Sequence, residues 1–176
     1  NTIGDNNVAM GDEALTSNTT ASYGLAFGSE ALRSNTTGTA NTGLGFRAGY
    51  STTTGAYNTS IGYQALYSNT SGSKNFALGY EAGYFETGSN KLYIANSRDA
   101  SGTLVFGDFS TGDMTIGKSS GVISIGNDLY VKGNLYVAGS TSNSAPGSVG
   151  TQPVFSGISG ITPVGNLTGK MTANMV

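Results

Sequence analysis

Five glycines, Gly11, Gly28, Gly45, Gly62 and Gly79, stand 17 residues apart, and the spacing never slips. An alanine follows each by three positions (Ala14, Ala31, Ala48, Ala65, Ala82) and a threonine by eight (Thr19, Thr36, Thr53, Thr70, Thr87). A large apolar residue precedes each: Met10, Phe27, Leu44, Ile61 and Leu78. A fixed period of this length is the mark of a stacked-repeat architecture, in which one unit cannot bury a face alone and its neighbours bury it together.

Each column has a physical reading. The apolar residue before the glycine is the one reliably large side chain per repeat. It is therefore expected to plug the core, with the glycine and alanine columns beside it. The residue before that plug is small (Ala9, Ala26, Gly43, Ser60, Ala77), which leaves room for a neighbouring strand. The glycine is expected to take a positive φ or to tolerate tight backbone contact at a bend. After the alanine come Leu15, Leu32, Gly49, Leu66 and Gly83, read as a second, smaller strand. Runs such as Ser34-Asn35-Thr36-Thr37-Gly38 then supply turn chemistry. Nothing in the repeats shows helical periodicity.

The expectation is an all-β, elongated parallel β-roll or β-helix of stacked 17-residue repeats, with rungs about 4.8 Å apart. Identical Thr and Asn side chains would form ladders along it. One plug per rung makes a thin core, so several chains are expected to share it, with a homotrimer as the favoured solution.

Composition tests this reading against disorder. Gly, Ser, Thr and Asn number 28, 22, 22 and 16, whereas Leu, Ile, Val and Phe together reach only 35 of 176 residues. Such a poverty of large apolar groups ordinarily leaves a chain unfolded. Here the net charge is only −2 and the apolar residues recur at fixed intervals. Order by stacking follows. Cys and His are absent, which removes disulfides, thiol nucleophiles and the usual zinc ligands. No cofactor is expected. No apolar run approaches the ~18–20 residues that cross a bilayer, and no signal peptide is visible from Asn1 onward. A sequence pI of about 4.9 gives no footprint for nucleic acid.

The period fades near Ser89-Asn90-Lys91, which sets the expected boundaries. Residues 1–90 are the stacked repeats. Residues 91–140 carry short apolar runs, among them Leu92-Tyr93-Ile94, Leu104-Val105-Phe106 and Leu129-Tyr130-Val131, and read as a short-strand β neck. Residues 141–176 hold all three prolines among Ser and Gly, and read as a tail or tip.

The strings NTSIGYQALYSNTSG (Asn58 to Gly72) and KNFALGYEAGY (Lys74 to Tyr84) resemble the repeats of bacteriophage tail-fibre proteins. LYIANSRDASGTLVFGDFSTGDMTIG (Leu92 to Gly117) resembles the strand-rich segment that follows such repeats. The aliphatic-Gly-x-x-Ala pattern also resembles the YadA-like heads of trimeric autotransporter adhesins, whose repeat is typically shorter. Both resemblances imply homotrimeric fibres that engage cell surfaces. The self-cleaving serine–lysine chaperone domain that ends many phage fibres has no match here.

Several fragments invite a catalytic reading. Ser71 and Lys74 have Ser-x-x-Lys spacing but lie in a repeat turn without the accompanying motifs. Gly43 to Gly49 is glycine-rich without phosphate-loop spacing. Asp108 and Asp113 form a carboxylate pair better explained as turn chemistry. Asn18, Asn35, Asn58, Asn69 and Asn166 fit the glycosylation triplet, yet geometry explains those in repeat turns. Tyr23, Tyr50, Tyr57, Tyr63, Tyr67, Tyr80 and Tyr84 are read as amphipathic cover before sugar-stacking contacts.

No catalytic, cofactor-binding or metal site is therefore expected, and the chain reads as a non-enzyme. The function expected is a structural segment of a phage tail fibre, a virion component acting as a trimeric rigid spacer and in host-surface adhesion. Its expected partners are copies of itself, other fibre or virion proteins, and a cell-surface glycan or protein receptor. The alternatives are a bacterial trimeric adhesin head at the cell surface and a polysaccharide-degrading tail spike.

Overall fold

The computed structural model describes residues 3–99 and 102–117. Every regular element among them is a strand. Five three-residue strands pair in parallel: β1 (Val8–Met10), β2 (Leu25–Phe27), β3 (Thr42–Leu44), β4 (Thr59–Ile61) and β5 (Phe76–Leu78). Each residue faces its counterpart 17 positions on, as in Ala26↔Gly43 and Ser60↔Ala77. The period of the sequence is thus the register of the sheet, and the chain winds a β-solenoid of about five turns. β6 (Lys91–Ala95) extends the parallel stack with a 16-residue step, Ala77↔Tyr93. β7 (Thr103–Asp108) and β8 (Asp113–Ile116) then continue the sheet antiparallel. Of the neck expected over 91–140, residues 118–140 lie outside the described residues, as does the tail expected over 141–176.

Within the single chain the expected plug column is inverted. In β2 to β5 the middle residue is buried (Ala26, Gly43, Ser60, Ala77). The residues flanking it turn outward, so Met10, Phe27, Leu44 and Leu78 are 39–60% exposed and Ile61 is half-buried. The reason is width. The interior is filled from across the rung by Leu15, Leu32 and Leu66, leaving the strand side room only for small residues. Even those leucines need relief from the next rung: a Cβ on Gly49 would meet Leu32 Cδ2 at 2.7 Å, and one on Gly43 would meet Leu32 Cγ at 2.9 Å. Tyr93 takes the same role at the β6 end, packed against the cluster of Ala65, Leu66, Ala77 and Ala82. The alanine column is interior: Ala31, Ala48, Ala65 and Ala82 are fully buried, and Ala14 packs against Leu15 and Ala31 in the first rungs.

The second, smaller strand expected after each alanine does not form. Residues such as Glu13 and Leu15, Glu30 and Leu32, or Gln64 and Leu66 are left-handed, with φ between 49° and 58°. Alternating left-handed residues coil the segment into turns. Its outward amides still bond from rung to rung, as Leu32 N–H to the Ala48 carbonyl (2.9 Å) and Ser34 N–H to the Tyr50 carbonyl (3.1 Å). The repeat glycine has φ between 118° and 136°, outside the range of L side chains. A Cβ on Gly45 would stand 2.6 Å from the Gly62 carbonyl oxygen, well inside contact distance.

Asparagine satisfies the backbone where the sheet cannot. Asn41 Oδ1 accepts from Asn58 N–H (2.9 Å) and Asn58 Oδ1 from Asn75 N–H (3.0 Å). Their amide nitrogens donate to the carbonyls of Gly55 (2.6 Å) and Gly72 (2.8 Å). A threonine column at the turn adds Thr36 Oγ1 to the Thr53 carbonyl and Thr53 Oγ1 to the Thr70 carbonyl, at 3.0 and 3.1 Å.

Two predictions follow from this geometry. Gly45→Ala is expected to lower unfolding free energy by roughly 3 kcal/mol, from backbone strain and the clash together. By contrast Ala40→Gly, at φ 57°, is expected to be neutral or stabilising by up to about 1 kcal/mol. Thermal or urea unfolding of the two variants measures the contrast, and equal effects would refute the conformational account. Asn58→Ala leaves the buried Asn75 N–H without its acceptor and removes one of two donors to the Gly72 carbonyl, which Asn69 still serves; it is expected to cost about 1–3 kcal/mol in the same assay.

Candidate functional site

The turn face carries the chemistry, because its columns change identity from rung to rung. One position after the repeat glycine stand Phe46, Tyr63 and Tyr80, and five positions after it stand Tyr50, Tyr67 and Tyr84. In-register stacking turns each set into an aromatic ladder. Phe46–Tyr63 and Tyr63–Tyr80 have centroids 5.3 Å apart. Tyr50–Tyr67 and Tyr67–Tyr84 lie 5.0 and 4.8 Å apart, with interplanar angles of 2° and 8°. The ring faces between successive rungs are therefore occupied by other rings.

Between the ladders runs a column of left-handed residues, Glu30, Arg47, Gln64 and Glu81, with Arg98 following 17 residues on. The Arg47 guanidinium spans the gap, its carbon 4.9 Å from the Phe46 centroid and 5.4 Å from that of Tyr50. It pairs with Glu30 on the preceding rung at 3.0 Å. Arg98 pairs with Glu81 at 2.6 Å and lies 4.1 Å over Tyr84. Arg33, in the neighbouring column, pairs with Glu13 and donates to the Tyr50 hydroxyl at 2.8 Å. The hydrogen bond that each of the three guanidinium groups donates to its glutamate partner holds it above its ordinary pKa.

The remaining candidates fall into place by burial. Asn18, Asn35, Asn58 and Asn69 are at most 3% exposed and bond the backbone, so none presents its amide to a glycosylating enzyme in the folded chain. Asn166 lies outside the described residues. Ser71 and Lys74 are exposed on a bend and not on one helical turn. The glycines from Gly43 to Gly49 are interior or repeat positions, as described above. Tyr23 and Tyr57 stand apart from the ladders, about 60% exposed on another corner. Among the described residues no cluster of three ligating side chains is placed to hold a metal ion, and no helix is long and apolar enough to cross a membrane.

Asp108 and Asp113 face each other across the β7–β8 hairpin. Asp108 accepts from Lys91 and from the Ser110 N–H (2.9 Å), while Asp113 accepts from Thr111 Oγ1 (2.7 Å). Turn chemistry accounts for both. Two features carried no advance signal in composition: the outward apolar strand face and the two ladders flanking a charged column. The ladders were findable, because aromatic and charged residues recur at the 17-residue step. Compared with known proteins, the chain matches no protein-family model, no curated protein and no solved structure.

The hydrogen bonds from Lys91 and Ser110 hold the Asp108 carboxyl well below its ordinary value of 3.8. A depressed folded-state pKa contributes stability above the ordinary value that is lost as pH falls below it. Wild-type thermal midpoints are expected to decline through this acid range more steeply than those of Asp108→Asn. Parallel pH profiles for the two proteins would refute the assignment.

Proposed function

We propose that the chain is a segment of a trimeric fibre of the phage tail-fibre kind, serving as a rigid spacer and as part of host-surface adhesion. The observation that carries the reading is the outward face of β1–β5. Its ten flanking positions hold eight large apolar residues, two threonines and no charge. Seven of the eight, among them Val8, Leu25, Phe27 and Phe76, are at least 36% exposed. Uncharged apolar surface of this extent is uncommon on an isolated chain and marks an interaction face.

A second copy of the chain is the partner that fits. The stripe advances one step per rung, so a parallel copy meets it with matching side chains along its whole length. Closed symmetry among three copies buries all three stripes about one axis and leaves the turn faces outside. Stacked rungs give length in equal increments. A rigid rod that carries several copies of a weak contact converts them into avidity. The C-terminal position of the strand-rich segment after the repeats accords with the order of such fibres.

Sedimentation equilibrium tests this reading. Wild type is expected at three times the 17.8 kDa chain mass. Leu44→Asp places a charge on the outward stripe and not in the solenoid interior. It is expected to dissociate the assembly while β circular dichroism is retained. A monomeric wild type, or a trimeric Leu44→Asp variant, would refute the proposal.

A further inference from the structure

The outward apolar face does not stop at the last repeat. β6 pairs with β5 so that Leu92 lies beside Phe76 and Ile94 beside Leu78. Tyr93, between them, turns inward and packs on the cluster around Leu66. Across the hairpin Gly107 and Val105 stand opposite Leu92 and Ile94, and Met114 and Ile116 stand opposite those in turn. Directly opposed residues share a face. The outward positions of β6–β8 are therefore all apolar or glycine, and Met114 and Ile116 are 63% and 46% exposed. The charges of this segment, Lys91, Asp108 and Asp113, are paired in the alternate register, on the side of Tyr93.

The same face is indented beside β5 and β6. A hollow of about 450 Å³ opens there, lined by Leu78, Ile94, Ala95 and Leu104 with two glycines and one polar residue, Asn96. Leu104 is itself 53% exposed. An apolar hollow beside projecting Met114 and Ile116 is costly to leave in water. In a ring of copies each chain turns one flank of its face to one neighbour and the other flank to the next, so hollow and projections are covered without a further kind of partner.

The repeats leave one thing unspecified. Shifted by one rung, about 4.8 Å, two parallel copies still set four of the five repeat strands against a repeat strand. Thr42 and Thr59 sit on successive rungs, so the shift places one threonine against the other. Pairing set by a period alone is prone to slip. The hairpin is the part of the face that does not repeat, and a shift by one rung carries it against the repeats of the next copy.

We propose that the outward face of β6–β8, with the hollow between Leu78, Ile94 and Leu104, is the contact that holds a second copy of the chain in one axial register. The proposal rests on the fibre reading above and assigns the hairpin its part in that assembly.

Disulfide trapping tests it, because the chain has no cysteine of its own. Leu44→Cys and Ile61→Cys chains are refolded together and oxidised, and the linked peptides are counted by mass spectrometry. A disulfide needs Cβ atoms about 3.5–4.5 Å apart, less than one rung, so it separates level from shifted copies. Links between two chains of the same variant report level copies, and links between the two variants report copies one rung apart. Level links are expected to exceed shifted ones about tenfold or more. Adding Met114→Ala together with Ile116→Ala to both chains is expected to bring the two yields within about twofold, with the trimer retained by sedimentation. Leu104→Ala carries the test if that hairpin does not form. Equal yields in the unaltered background, whether high or nil, would overturn the proposal. A level preference that survives in the folded alanine variants would leave the hairpin face to another partner and overturn it too. Sedimentation reads assembly separately, so a trimer without fixed register refutes the hairpin's role and leaves the fibre standing, whereas a monomer refutes the fibre itself.

Discussion

The close approach of each repeat glycine to the carbonyl of the next governs the rest of the molecule. At this point the backbones of neighbouring rungs come closer than a single methyl group would allow. Rungs held at that spacing force each side chain to lie beside the residue 17 positions on. A column is then occupied only by residues that tolerate a copy of themselves. Glycine and alanine tolerate it by being small. Asparagine does so by accepting from the next backbone N–H while donating to a carbonyl, and tyrosine does so by offering a ring face to the next ring.

Charge is what a column cannot repeat freely. Like charges about 5 Å apart repel by roughly 1–3 kcal/mol between bulk-water and protein-surface dielectric. The column from Glu13 to Arg98 therefore changes sign or charge along its length. Where two glutamates are neighbours, Glu13 is taken by Arg33 and Glu30 by Arg47. The pairs are partly exposed and each contributes little alone. Their larger consequence is spatial, since they set guanidinium groups against the aromatic ladders and leave one rung, that of Gln64, neutral.

Much of the architecture was legible from the period. The all-β class, the parallel register, the rung length and the left-handed or glycine-specific bend all follow from 17-residue spacing and turn chemistry. The direction of the strand side chains was not. In a three-residue strand one middle residue points one way and two flanking residues the other, so size alone suggests placing Leu44 and Ile61 inside. The clue lay elsewhere in the repeat. Leu32 and Leu66 each precede a rung with glycine in the equivalent place, Gly49 and Gly83. That alternation makes sense only if those leucines lean into a shared interior. Likewise the second strand failed because apolar pairs such as Ala31-Leu32 look like strand, while the left-handed backbone of Glu30 and of Leu32 itself is invisible in residue type.

The two faces of a rung then place opposite demands on water. The strand face is apolar and uncharged, and exposing it costs about 25 cal/mol for each Å² left in solvent. The turn face spends its aromatic surface on itself and shows hydroxyls, amide and paired charge. Covering the first face would leave the second one wet, and every rung extends both by the same step. Lengthening such a chain by one repeat adds stability to the shaft. The invariant columns build the solenoid, and the aromatic and charged columns that vary, here over the rungs from Phe46 to Tyr84, set the character of its turn face.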